Sequence, residues 1–378
     1  MLHVLESDQE MLRDTTARFL DDKVPLSRLR KDRDDPAGFA PEYWTNGAEL
    51  GWTSLLVSEE DDGGSVSGRG AVDLSLIAYE FGRHAAPGPL VDCNVVAAAL
   101  AGRSGDAQST VLAGLLDGSL IAACCLGTAP WQCRGEQTIT IARDGDDLVI
   151  DGAVRPVEAG AQAAWLLVSG HGGTGPTQAL VPVDASGLTI MPLRTLDVTR
   201  RYAAVTFDKV RVPARHLVGD FGGAADAIAR QVDNAAVILA AESVGAMDAA
   251  FAMTLDYAFD RYTFGRALAS YQALKHRFAD LKSWLEASHA IADAAAEAVA
   301  DSSPLASETA SAARAYIGQY GTELVQDCVQ LHGGIGVTYE HDLHFFLRRV
   351  ALDAVLHGTV TDHRRLLAAA RIGQEKAA

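Results

Sequence analysis

Three textures follow one another along this chain of 378 residues, and their order limits what it can fold into. Residues 1–118 read as helical, with Ser7 and Glu10 spaced as a capping box ahead of Met11, Leu12 and Phe19. Pro25, Pro36 and Pro41 interrupt that run, and residues 73–83 return to helix. Residues 119–215 read as short strands: Thr138-Ile139-Thr140-Ile141, the turn signal Asp144-Gly145, then Leu148-Val149-Ile150. Further strands are expected near residues 165–168, 179–183, 188–191 and 203–207. From residue 216 long helices dominate. Tyr271, Leu274, Phe278, Leu281 and Leu285 make one apolar stripe at helical spacing, and alanine fills much of 287–313. A chain this long exceeds one ordinary core. The predicted fold class is α+β multidomain: an N-terminal all-α domain (1–118), a middle antiparallel β-barrel or sandwich (119–215) and a C-terminal four-helix bundle (216–378).

The formal net charge of −17 disfavours nucleic acid, whose phosphates need clustered Lys and Arg. Cys93, Cys124, Cys125, Cys133 and Cys328 lack metal-ligand spacing and contain no C-x-x-C, which suits small buried thiols in a reducing compartment. No secretory leader pattern and no run of eighteen apolar residues is visible, so a cytoplasmic protein without a membrane span is expected. The acidic, glycine-rich stretch 59–64 has no following Lys-Ser/Thr and no strand-turn-helix frame, so no nucleotide loop is expected there.

The residues that point to chemistry are Arg261-Tyr262-Thr263-Phe264-Gly265-Arg266, then Gln272, and later Gln330-Leu331-His332-Gly333-Gly334-Ile335-Gly336. A guanidinium meets a diphosphate with forked hydrogen bonds, a threonine adds a hydroxyl donor, and paired glycines let backbone approach a ligand closely. Each piece also has a plain reading. Arg261 suits a helix C-terminus, and Gly333-Gly334 suits a helix stop.

Taken together, these segments resemble the FAD-gripping signature of the acyl-CoA dehydrogenase family, and the helix–strand–helix order resembles that family over nearly the whole length. Gly51-Trp52, the exit Phe207-Asp208-Lys209-Val210-Arg211-Val212-Pro213 and residues 234–245 are similar to its N-terminal domain, β-domain exit and first bundle helix. The resemblance implies FAD as cofactor, held by Arg261, Thr263, Phe264, Gln272, Gln330, Gly333, Gly334, Thr359 and Thr128. It implies that Gln330 and the glycines come from a different subunit than Arg261, so that FAD bridges an oligomer. It also implies α,β-desaturation of an acyl-CoA, with electrons passed to an electron-transfer acceptor.

In the family a glutamate beside a Gly-Thr pair, or one on the first bundle helix, takes the α-proton. Here those positions hold His357, before Gly358-Thr359, and Ala235. His357 is the catalytic candidate, with three readings: a base in its own right, a replacement in a subunit without chemistry, or a packing histidine. Glu242 and Asp353 are nearby carboxylates, expected as helix-surface charges that would serve only if the helices rotate. Asp233 matches a position that bonds the pantetheine arm of the substrate, but Ala236 stands where an arginine is expected. The flavin-facing loops of the β domain are replaced by Leu126-Gly127-Thr128-Ala129-Pro130 and by residues near Arg155-Pro156-Val157-Glu158. His341 and His344 have no third partner at metal spacing, so no metal is expected. The reading is therefore an FAD-dependent acyl-CoA dehydrogenase, as a homo-oligomer or as a base-lacking member of a heterotetramer with a second subunit of the family. The alternatives are a flavin oxidase or monooxygenase on the same scaffold, and a non-catalytic binding subunit.

Overall fold

The computed structural model describes residues 4–126 and 139–377; Thr128, Cys133, Thr138 and the rest of 127–138 lie outside the described residues. The N-terminal helices are α1 (Ser7–Lys23), α2 (Leu26–Leu29), α3 (Pro41–Glu49), α4 (Gly70–Arg83), α5 (Leu90–Leu100) and α6 (Asp106–Leu116). The middle strands are β1 (Ala122–Leu126), β2 (Ile139–Asp144), β3 (Asp147–Glu158), β4 (Trp165–His171), β5 (Pro176–Pro182), β6 (Leu188–Leu193), β7 (Tyr202–Pro213) and β8 (Leu217–Val218). The C-terminal part holds α7 (Ala225–Asp260), the short hairpin β9 (Tyr262–Thr263) and β10 (Arg266–Ala267), then α8 (Gln272–Ala300), α9 (Ala306–His332), α10 (Leu343–Asp353) and α11 (Val360–Ala377). N-terminal helices, a middle sheet and C-terminal helices are thus all present. The first cap differs from expectation: the capping box pairs Glu6 with Gln9, one residue before Ser7 and Glu10.

Contacts divide the chain into two compact units. One comprises Lys31–Leu74 and Pro87–Ala235 and contains the sheet. Its strand order is β6-β7-β3-β2-β4-β5-β8, with β1 added on β4. All pairings are antiparallel except β1 with β4 and a single bridge between Thr140 and His171. β1 reads Ala-Ala-Cys-Cys-Leu and is buried almost throughout, so it carries no in–out alternation that could announce its direction. Ile139, Ile150, Leu166, Val168, Val205 and Phe207 form the core against the sheet. Two glutamines dock the start of α7 onto it. Gln178 Nε2 donates to Gln231 Oε1 at 2.8 Å, and Gln231 Nε2 returns to Gln178 Oε1 at 3.0 Å.

The other unit comprises the chain up to Arg30, Ser75–Ala86 and Ala236–Ala378. Of the expected stripe on α8, Phe278, Leu281 and Leu285 are buried. α7 is long and apolar enough to cross a membrane by length and composition, but 78% of its apolar window is buried inside the fold. It meets α4 backbone to backbone. A Cβ on Gly245 would lie 1.9 Å from the Tyr79 carbonyl oxygen, and one on Gly82 would lie 1.8 Å from that of Glu242. Gly245→Ala is therefore expected to cost about 1–3 kcal/mol by forcing the helices apart. Calorimetry should show a lower unfolding temperature, and an unchanged one would contradict the close crossing.

Candidate functional site

The signature around Arg261 folds as one local piece in the helical unit. α7 ends at Asp260, and the Arg261 carbonyl accepts the Leu268 amide at 2.8 Å, which turns the chain back through the β9–β10 hairpin. Phe264 and Gly265 form the tip with φ of 51° and 80°. A phenylalanine in left-handed backbone is strained, and here its ring is 94% exposed. Thr263 is half-buried, its carbonyl accepting the Tyr271 hydroxyl at 2.7 Å. Arg266 lies 3.8 Å over the Tyr271 ring. Arg261 and Gln272, the first residue of α8, are exposed.

The second signature lies at the end of α9. Gln330 is exposed in its last turn, and Gly333 caps it with φ 64°, which only glycine takes readily. A Cβ on Gly333 or Gly334 would meet nothing within 4 Å, so backbone there is open to a ligand. Tyr257 of α7 stacks on His332 of α9 at 4.4 Å. That stack brings the turn before Arg261 beside the turn before Gly333 within one chain. Both signatures thus lie at one end of the α7–α9 pair. The stack escaped sequence reading because the two rings are far apart in the chain. An exposed guanidinium, a threonine, two glutamines and open glycine backbone suit an extended diphosphate, so this surface fits the outer half of FAD.

His357 follows α10 at the position of the expected carboxylate. It is half-buried, in left-handed backbone with φ 50°. Its pKa is pushed down to about 4, by burial first and then by the Arg314 and His363 charges. His363 is likewise held at about 4, chiefly by burial and Arg314. Arg314 is 2% exposed and donates to the carbonyls of Asp353 and Leu356, closing the end of α10. Its Nε and Nη1 meet no acceptor among the described residues. An imidazole this reluctant to take a proton, beside a fixed cation, is a poor general base near neutrality. The unfolded chain binds the histidine protons more readily, so these groups contribute stability in full above pH 6.5 and lose it as pH falls toward 4. Proton NMR is expected to show the His357 imidazole neutral at pH 6, and titration near 6.5 would contradict this environment.

The other carboxylates are committed elsewhere. Glu242 and Asp353 are not surface charges, because both are 0% exposed. Glu242 pairs with Arg349, itself 0% exposed, whose Nη2 also donates to the carbonyls of Ala85 and Ala86 at 3.3 and 3.0 Å. Asp353 accepts the Ser243 hydroxyl at 3.2 Å and lies near Arg314. Thr359 is exposed and its hydroxyl donates to Asp362 at 2.6 Å, with the Asp362 amide returning to it at 3.2 Å, a reciprocal cap on α11. Asp233 is half-buried on α7, and Ala235 is buried. Thr128 lies outside the described residues. His344 is 9% exposed and stacks on Tyr339 at 4.7 Å, while His341 packs on His332 at 4.5 Å. No group of three or more His, Cys, Asp or Glu side chains is placed to hold a metal among the described residues.

Comparison with known proteins bears on the family and the fold. The family "Acyl-CoA dehydrogenase, N-terminal domain" matches residues 6–119, and "Acyl-CoA dehydrogenase, C-terminal domain" matches 222–372. Acyl-CoA dehydrogenase IpdE2 of Mycolicibacterium smegmatis is 28% identical over 97% of this chain and 99% of its own length. IpdE2 of Mycobacterium tuberculosis is 29% identical over 90% of each chain. A variant of the Tcur3481-Tcur3483 steroid ACAD superposes with TM-score 0.86 at 28% identity, covering 98% of this chain and 99% of that one. Butyryl-CoA dehydrogenase from Megasphaera elsdenii shares the fold, with TM-score 0.85 over 98% of this chain and 100% of its own at 21% identity. The chain belongs to the acyl-CoA dehydrogenase family.

Proposed function

We propose that this chain is a subunit of an FAD-dependent acyl-CoA dehydrogenase that introduces an α,β double bond into an acyl-CoA, and that it does not itself supply the proton-abstracting group. The observation that carries the reading is the state of position 357. An imidazole held neutral beside buried Arg314 stands where a carboxylate is expected, and the carboxylates nearby are tied into buried contacts. A base has to stand within reach of the α-proton with a pKa near the working pH, and none of these groups meets that need.

When bound, FAD supplies the redox step, receiving the hydride that leaves the β-carbon. The chain's own residues bind and orient. Arg261, Thr263, Gln272 and Gln330 face the diphosphate and nucleotide, Gly333 and Gly334 admit it against backbone, and Phe264 walls it. Asp233 serves the pantetheine arm of the substrate. A second, unlike subunit of the family supplies the carboxylate, and the assembly passes electrons to an electron-transfer acceptor in the cytoplasm. The similarity to a steroid ACAD described by two components supports both the heteromeric assembly and a steroid-derived acyl-CoA as the substrate class. Purified alone and supplied with FAD, the chain is expected to leave the flavin absorbance unbleached when an acyl-CoA is added. Rapid bleaching would contradict the reading.

A further inference from the structure

We propose that His332, His341 and His344 form an acid-sensitive catch on residues 333–342, which holds the glycine turn Gly333–Val337 in place while the three rings are uncharged and lets it open when they take protons. The catch is built entirely within the helical unit. Its bearing on a cofactor rests on the function proposed above.

Backbone hydrogen bonds fix each ring in one neutral form. His332, 3% exposed in the last turn of α9, has Nδ1 2.8 Å from the Cys328 carbonyl oxygen, so Nδ1 carries the proton and Nε2 the lone pair. His344 of α10, 9% exposed, has Nε2 3.2 Å from the Tyr339 carbonyl oxygen, which leaves the lone pair on Nδ1. Neither His332 Nε2 nor His344 Nδ1 meets a hydrogen-bond partner among the described residues. A second proton on either ring would be a buried charge whose new N–H has no acceptor there. His341 is opposed in another way. Its Nδ1 accepts the Leu343 amide at 3.2 Å, and a protonated Nδ1 has no lone pair to do so.

The same rings tie the segment down at both ends. His332 stacks on Tyr257 of α7 at 4.4 Å and meets His341 edge-on at 4.5 Å, while His344 stacks on Tyr339 at 4.7 Å. The turn itself lies against α9: a Cβ on Gly336 would stand 2.5 Å from the Val329 carbonyl oxygen and 2.8 Å from His332 Cβ. Arg30 holds the rest of the segment. Its Nε donates to the Tyr339 carbonyl at 3.2 Å and its Nη2 to that of Glu340 at 2.6 Å, and Nη2 also pairs with Asp342. Burial is the first influence holding down the affinity of all three rings for a proton. The Arg348 and Arg30 charges add to it at His344, Arg30 at His341, and His341 at His332, while Asp342 opposes them at His341 and His344. His344 is pushed down to about 4, and His332 and His341 move the same way. Once the segment opens, the rings are solvated and titrate near about 6.5. Opening therefore takes up protons and becomes easier as pH falls below 6.5 toward 4. From His344 alone the gain between pH 7.5 and pH 5 is on the order of 30-fold.

The test is amide hydrogen exchange of the full chain at pH 7.5 and pH 5, followed by mass spectrometry and read as protection factors for residues 333–342 against α8 in the same sample. The wild type is expected to lose protection in 333–342 by about 30-fold or more on acidification, beyond any change in α8. His344→Gln keeps a donor for the Tyr339 carbonyl and has no proton to gain, so it is expected to remove about 30-fold of that pH dependence. His332→Asn keeps a donor for the Cys328 carbonyl and is expected to shrink the dependence as well, which serves as the readout should His344→Gln fail to fold. Protection in 333–342 that does not change with pH in the wild type, or a pH dependence the same in both variants as in the wild type, overturns the catch. Loss of protection at pH 5 with flavin retained equally by the native assembly at both pH values supports the catch and removes the cofactor from Gly333 and Gly334.

Discussion

Arg349→Met is expected to destabilise the helical unit by about 3–5 kcal/mol, the range for breaking one side of a buried ion pair. Both partners are fully buried, so neither charge has water to fall back on. The loss has two parts. Glu242 keeps its place inside α7 without its Arg349 partner, and the Ala85 and Ala86 carbonyls lose the Arg349 donor. Thermal unfolding should move down by roughly 10 °C or more. The double replacement Glu242→Leu with Arg349→Met removes both charges and should recover much of the loss, since apolar pairs of similar volume often replace buried ion pairs without net cost. If the single variant unfolds within a degree or two of wild type, the pair is not buried as described. The same experiment bears on function, because a carboxylate locked to Arg349 is not available to take a substrate proton.

The second large effect concerns the ligand. Arg261→Met in the assembled enzyme is expected to weaken FAD retention by roughly 10- to 150-fold, the loss of about 1.5–3 kcal/mol for hydrogen bonds to a charged group. Arg261→Lys keeps the charge but not the planar fork, and should recover part of the affinity. Gel filtration at low concentration followed by flavin absorbance measures both. Arg261 is exposed just past the end of α7, so folding should be nearly unaffected. Undiminished flavin in Arg261→Met would remove that residue from the site.

Much of the architecture was legible because period and composition agreed. The stripe ending in Phe278, Leu281 and Leu285 marked α8, and Asp144-Gly145 marked the β2–β3 hairpin. Two things were not legible. The direction of β1 was hidden by its unbroken burial. The buried charges were hidden by distance, since Glu242 and Arg349 stand 107 residues apart and Glu158 and Arg200 stand 42 apart. A faint signal did exist. Glu242 lies in the apolar run of residues 235–244, a setting in which a lone charge is either exposed or paired. The exposed segments around Arg261 and Gly333 could be singled out from their motifs. The buried cluster of Asp92, Glu158 and Arg200 could not, because its members converge only through the fold.

This chain is expected to share its chemistry with an unlike partner. The most direct test is to isolate it from its native host under mild conditions, weigh the chains by mass spectrometry, and follow the flavin band as acyl-CoA is added. The expected result is a second acyl-CoA-dehydrogenase-type chain with a glutamate at the position of His357, and a flavin that bleaches only when both chains are present. Recovery of this chain alone, flavin-loaded and rapidly bleached by acyl-CoA, would contradict it.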